Sequence, residues 1–246
     1  MRIYMSHWHV GPTDQNLRNT ARQVRRAAEL QCEMIVFPEL FLTGYLGDNP
    51  ARELRSGLAQ ISRSFPDVAC CFGSVSEDKV NRQLIFVAGE ERARYDKVHL
   101  FRPNGEQDLW QPGRFYASWN NGTLKIGMAL CNDIRFPEQT RELRLRHNIS
   151  MLVVPALWPA RRDHIWAALL RARAIENNIF VLGCCISSID NGAEQFDGAA
   201  NHVFDPDGNE LTDVERVFTL DLSLLDKALV DTNVQYRTVD DVLLYN

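Results

Sequence analysis

No stretch of the chain carries the roughly 20 consecutive apolar residues that a membrane-spanning helix needs. The first ten residues, MRIYMSHWHV, read as too short and too polar for the apolar core of a secretion signal. Basic charge is not in excess: 27 Lys and Arg stand against 32 Asp and Glu, a net charge of −5. The basic stripe of a nucleic-acid-binding surface is therefore missing. The arginines between Arg141 and Arg146 alternate with Glu142, Leu143 and Leu145, the pattern of a solvated helix face. There are six cysteines, but no CxxC pair and no Cys/His spacing of the zinc type. His7 and His9 flank Trp8 on one face of a short strand and read as structural. No linker, low-complexity segment or long charge run interrupts the chain. These absences lead us to expect a cytoplasmic protein with reduced thiols, no membrane contact and no nucleic-acid partner.

What is present is the composition of an ordinary globular protein: 246 residues, 45% hydrophobic and 24% charged, long enough to bury a substantial core. Strand and helix patterns alternate throughout, which predicts an α/β layered architecture and one domain over 1–246. Leu17, Ala21, Val24 and Ala28 recur at helical spacing after Gly11-Pro12, with Thr13 or Asp14 as the expected N-cap. Ile165, Leu169, Ala172 and Ile175 mark one face of a second helix over about 161–178. The short apolar runs MIVF, SMLVV and IFVLGCCI read as buried strands, and two of them run into a proline, in VFPEL and in VVPAL. This echo suggests two structurally related halves. Cys70–Cys71 and Cys184–Cys185 are adjacent pairs inside apolar strands.

Functional side chains of α/β folds gather just past strand ends. Three such places carry reactive groups: Glu39 in IVFPEL, Lys97 in RYDKVHLF and Cys131 in IGMALCND. A carboxylate, an amine and a thiol are the parts needed for nucleophilic acyl chemistry. Each alone also fits a surface carboxylate, a solvated lysine or a small core residue. FPELFLTGY, YDKVHLF and CNDIRFPE, in that order, resemble the three signature blocks of the nitrilase superfamily, the carbon–nitrogen hydrolases. GEQDLWQPG and HIWAALLRARAIENNIFVLG agree with two further blocks of that family. The similarity runs from about Arg2 to Leu222 and, with ALWPARRDHIW, looks most like the ω-amidase-like branch.

The resemblance implies an α-β-β-α sandwich and an amidase of small linear amides, ω-amides of dicarboxylic or keto acids among them. It matches Cys131 to the nucleophile, Glu39 to the general base and Lys97 to the third triad member. Glu106 matches a second glutamate that positions the lysine or assists proton transfer, and the backbone N–H of Asn132 matches an oxyanion donor. It further implies a homodimer or larger homo-oligomer, often paired through the helix layer. Such chemistry needs no metal and no organic cofactor. An N-carbamoyl (ureido) substrate with the same triad, or a catalytically silent binding module, are the alternatives. Asn132 stands where many relatives have an aromatic residue, and Ala199 or Ala200 where a small hydroxyl residue is common. Phe41, Tyr45 and Trp158 are candidates for the acyl pocket. Arg135 and Glu138 read as a buried ion pair holding the turn after the cysteine, Asp133 as a partner of that turn's backbone, and Arg161 and Arg162 as solvated. The tail from about residue 223 matches no block and is a candidate oligomer contact.

Overall fold

Successive residues of a strand point to opposite faces of its sheet, and here that alternation sorts the apolar side chains into three separate cores. The computed structural model describes residues 1–45, 51–190 and 195–226. The tail from 227 onward thus lies outside the described residues. Strands β1 (Arg2–Met5) and β2 (Trp8–Val10) precede helix α1 (Thr13–Glu29). Strand β3 (Met34–Val36) and helix α2 (Ala51–Ser64) lead to β4 (Ala69–Glu77), β5 (Val80–Val87) and β6 (Glu90–Asp96). A short helix, α3 (Glu106–Leu109), comes before β7 (Ala117–Asn120) and β8 (Lys125–Met128). Helix α4 (Pro137–His147), β9 (Met151–Ala156), helix α5 (Asp163–Asn177) and β10 (Phe180–Asp190) follow. Short strands β11 (Gln195–Asp197), β12 (His202–Phe204) and β13 (Val217–Thr219) end the series.

One sheet has the order β13-β1-β3-β4-β5-β6, the other β11-β10-β9-β8-β7, with β12 and β2 also pairing on β10. Both follow one plan. A parallel trio, β1-β3-β4 or β8-β9-β10, is flanked on each side by an antiparallel strand. VFPEL and VVPAL close the middle strands of the two trios, so the echo between them is architectural. On β3, Ile35 faces the core under α1 and α2, while Met34 and Val36 enter the core between the sheets. A third core, with Leu152, Val154, Trp166 and Leu170, fills the space between the second sheet and α4 and α5. The result is a single-domain α-β-β-α sandwich.

The adjacent cysteines straddle these layers. Cys70 and Cys71 face different cores, as do Cys184 and Cys185. All are free thiols, and burial pushes Cys70, Cys71 and Cys185 up to about 12, where they stay protonated.

Both helix faces differ from the apolar pattern. The fully buried stripe of α1 is Asn16, Thr20, Val24 and Ala27, and neither Thr13 nor Asp14 caps it. Asn16 can be buried because its side chain bonds both backbone groups of Gly11 and the Leu42 carbonyl. On α5 the buried residues are Trp166, Leu170, Arg173, Ala174 and Asn177, and Ile175 is 49% exposed. Arg173 and Asn177 go inside because carbonyls there need donors: Arg173 Nε bonds Ile134 O (3.1 Å) and Asn177 Nδ2 bonds Arg173 O. Arg144, expected on a solvated face, is likewise buried and donates to the carbonyls of Asn177 and Ile149.

Candidate active site

Glu39 follows β3 through Phe37 and Pro38. Its turn sits so close to β4 that a Cβ on Gly73 would lie 1.7 Å from the Pro38 carbonyl oxygen. Leu40, with φ +49°, completes the turn and donates its N–H to Ser74 Oγ. Cys131, just beyond β8, has φ +45° and opens a 3-10 turn, Cys131–Arg135. A left-handed conformation at a non-glycine residue costs energy and is a recurrent mark of functional sites. Lys97 directly follows β6, and Glu106 begins α3 after Gly105, whose φ of +71° suits glycine.

These four side chains converge in the interior. Lys97 Nζ donates to Glu39 Oε1 (2.8 Å) and to Glu106 Oε1 (2.9 Å), and all three side chains are fully buried. Glu39 Oε1 also accepts from Asn81 Nδ2 (2.9 Å), and its Oε2 from the Leu157 N–H (3.0 Å). Glu106 accepts from the Tyr45 hydroxyl (2.9 Å) and from the Phe101 N–H (2.7 Å). The Cys131 thiol donates to Leu157 O (3.7 Å), and Cys131 lies close enough to Glu39 to feel its charge.

Burial pushes the Glu39 carboxyl above the usual glutamate range, with the Lys97 ammonium working against it. Burial likewise lifts the Cys131 thiol, with the Glu39 charge adding to the effect. For Lys97, burial favours the neutral amine, but the opposing charges of Glu39, Cys131 and Glu106 together outweigh it and keep the ammonium. A thiol, a carboxyl with enhanced basicity and a fixed ammonium can attack a carbonyl and hold the resulting oxyanion.

The turn after Cys131 is braced by Asp133. Its buried carboxylate accepts from Leu130 N (2.8 Å), Tyr95 Oη (2.8 Å), His99 N (2.9 Å) and His99 Nδ1 (2.8 Å). The segment after Lys97 is thereby tied to the turn that carries the thiol. Among the described residues nothing accepts from the Asn132 backbone N–H, while its side chain donates to His99 O and Leu100 O.

Cys131 opens onto a cavity of about 230 Å³. Tyr45 and Trp158 line it. Phe41 does not: the left-handed turn at Leu40 sends its ring into the core beneath α1, 5.3 Å from Trp8 and 4.9 Å from Phe37. Arg135 and Glu138 form no ion pair. Glu138 is exposed in the first turn of α4, where the helix dipole suits it. Arg135 instead lies 4.6 Å from the centre of the Trp158 ring, on the cavity wall. Arg161 is exposed and Arg162, expected in solvent, is half-buried; both line the cavity. Asn81 was missed altogether. Nothing in VNRQLIF sets it apart, and its importance comes only from the pairing that points its side chain at Glu39.

Comparison with known proteins gives the family and the fold. Residues 8–219 match the family model for carbon-nitrogen hydrolases. The chain is 32% identical over 249 residues to the omega-amidase YafV of Escherichia coli (strain K12), covering 95% of this chain and 92% of that protein. It is 29% identical over 210 residues to a 2-oxoglutaramate amidase of Paenarthrobacter nicotinovorans, covering 76% and 69%. In fold it superposes on Saccharomyces cerevisiae Nit3, a nitrilase-superfamily member, with a TM-score of 0.81 at 21% identity over 94% of this chain and 93% of that one.

Proposed function

The chain belongs to the carbon–nitrogen hydrolase family, within the nitrilase superfamily, and from that premise we propose that it cleaves a small linear ω-amide through a thioester on Cys131. That it is a hydrolase of carbon–nitrogen bonds other than peptide bonds, an amidase, follows from the family and its named relatives. The observation that supports the finer reading is Lys97 held between Glu39 and Glu106 near the Cys131 residue that lines the cavity.

The steps follow from that placement. Glu39 takes the thiol proton and the thiolate attacks the amide carbon. The oxyanion forms between Lys97 Nζ and the Asn132 N–H. Glu39 passes its proton to the leaving nitrogen, ammonia departs, and an acyl-thioester remains. A water then gives a proton to Glu39 and adds to the thioester. Collapse of the second oxyanion releases the carboxylic acid, and the thiolate recovers its proton. One carboxyl serves as base, acid and base in turn. Glu106 fixes Lys97 and is itself fixed by Tyr45 and the Phe101 N–H.

The cavity is smaller than the roughly 300–1,000 Å³ of typical small-molecule pockets, which suits a short acyl chain. Arg135 on its wall offers a charge partner for an acid group at the far end of that chain, hence an ω-amide of a dicarboxylic or keto acid. The working form is a homodimer or larger homo-oligomer, for which the half-exposed Ile175 on α5 offers an apolar contact. The test is ammonia release from a panel of short amides. Cys131→Ala is expected to abolish it with the fold intact, and Lys97→Ala to lower the rate by about two to three powers of ten, as for loss of one oxyanion donor. Substantial turnover by Cys131→Ala would sink the mechanism.

A further inference from the structure

Arg162 belongs to the short 3-10 turn Ala160–Arg162 that enters α5, outside the blocks that carry the triad. Its own carbonyl accepts from Trp158 Nε1 (3.0 Å), so backbone and indole hold each other. Its guanidinium reaches the cavity 6.0 Å from the centre of the Trp158 ring and 5.8 Å from that of Phe101, and so spans two walls. Arg135 approaches the same indole at 4.6 Å. Arg162 Nε is shut off from solvent and, among the described residues, has no acceptor, a costly state for a charged donor. Among the described residues that line the cavity there are three arginines and no acid. Burial, and then the charge of Arg162, hold Arg135 below the usual arginine range.

From this orphan donor and the two arginines set about one indole, we infer that Arg162 is a specificity-determining residue, which joins Arg135 in clamping the terminal carboxylate of the substrate. Two guanidiniums can each offer a planar pair of donors to one carboxylate. The bound acid neutralises their repulsion. Neutral amides of the same length leave both cations unpaired and are rejected by that cost. The inference rests on the ω-amide reading above and names the group that selects among amides.

Arg162→Gln removes the charge and keeps the carbonyl that holds Trp158. Wild type, Arg162→Gln and Arg162→Lys are compared on butanedioic acid monoamide and on neutral butanamide. Arg162→Gln is expected to raise KM for the monoamide about ten- to a hundred-fold, the loss of a charged hydrogen-bonded partner. Its kcat is expected to stay within a few-fold, and butanamide turnover to rise, because one unpaired cation is gone. Arg162→Lys should restore part of the loss. An unchanged KM, or an equal loss on both amides, overturns the inference and leaves the amidase reading standing. If the wild type hydrolyses neither amide, the short ω-amide reading fails. Protection of Cys131 from iodoacetamide by butanedioate then decides for Arg162: protection lost in Arg162→Gln supports the clamp, and equal or absent protection in the wild type overturns it.

Discussion

Glu39 is a buried acid with three donors on its two oxygens, and in the proposed mechanism its protonation sets when the enzyme can work. It acts as a base only when ionised, and burial raises its pKa. As pH falls through that raised value the carboxyl takes up a proton and attack by Cys131 stops. The acid limb of a kcat/KM profile is therefore expected above the ordinary glutamate value of about 4.3. A limb at or below that value contradicts the account. The linkage to stability has the opposite sense: a raised acid binds its proton more tightly in the folded chain, so its contribution is lost as pH rises through the folded value. At this scale the sequence could single out Glu39, Lys97 and Cys131 as candidates, because each follows a strand end and each lies in a block that resembles the family. Their supports were not legible. Asn81, Arg135 and Arg162 gain their roles from strands and turns far away in the chain. Phe41 and Tyr45 could not be told apart without the left-handed turn at Leu40.

Single positions act through the elements that carry them. The β3–β4 contact leaves no room for a side chain at Gly73, since a Cβ there would overlap the Pro38 carbonyl at 1.7 Å. Gly73→Ala is expected to destabilise the protein by about 3 kcal/mol, the upper end of overpacking costs, and to lower kcat by shifting Glu39. A variant with unchanged Tm and full activity would show that the turn is not under this constraint. The 3-10 turn that carries Cys131 is fixed in a different way, by hydrogen bonds to Asp133 and from Arg173. Arg173 was hidden in the sequence because the apolar periodicity of α5 selects Ile165, Leu169, Ala172 and Ile175. The buried face lies one residue away, where polar side chains satisfy carbonyls of the turn.

The molecule as a whole brings the ends of two similar sheets together. The middle strand of one trio supplies Glu39 and that of the other leads to Leu157, whose N–H bonds the Glu39 carboxylate at 3.0 Å. The VFPEL and VVPAL echo was visible in the sequence. That the two would meet across the site was not, because sheet-on-sheet packing leaves no local signature. Light scattering of the purified protein is expected to give the mass of a dimer or larger assembly, and a monomer at micromolar concentration would remove oligomerisation from the account. The covalent intermediate is the centre of that account, and mass spectrometry of enzyme quenched during turnover of a short ω-amide tests it most directly. The account predicts an acyl group on the peptide that contains Cys131, released by hydroxylamine. Ammonia formed at the same rate with no adduct on Cys131 would contradict it.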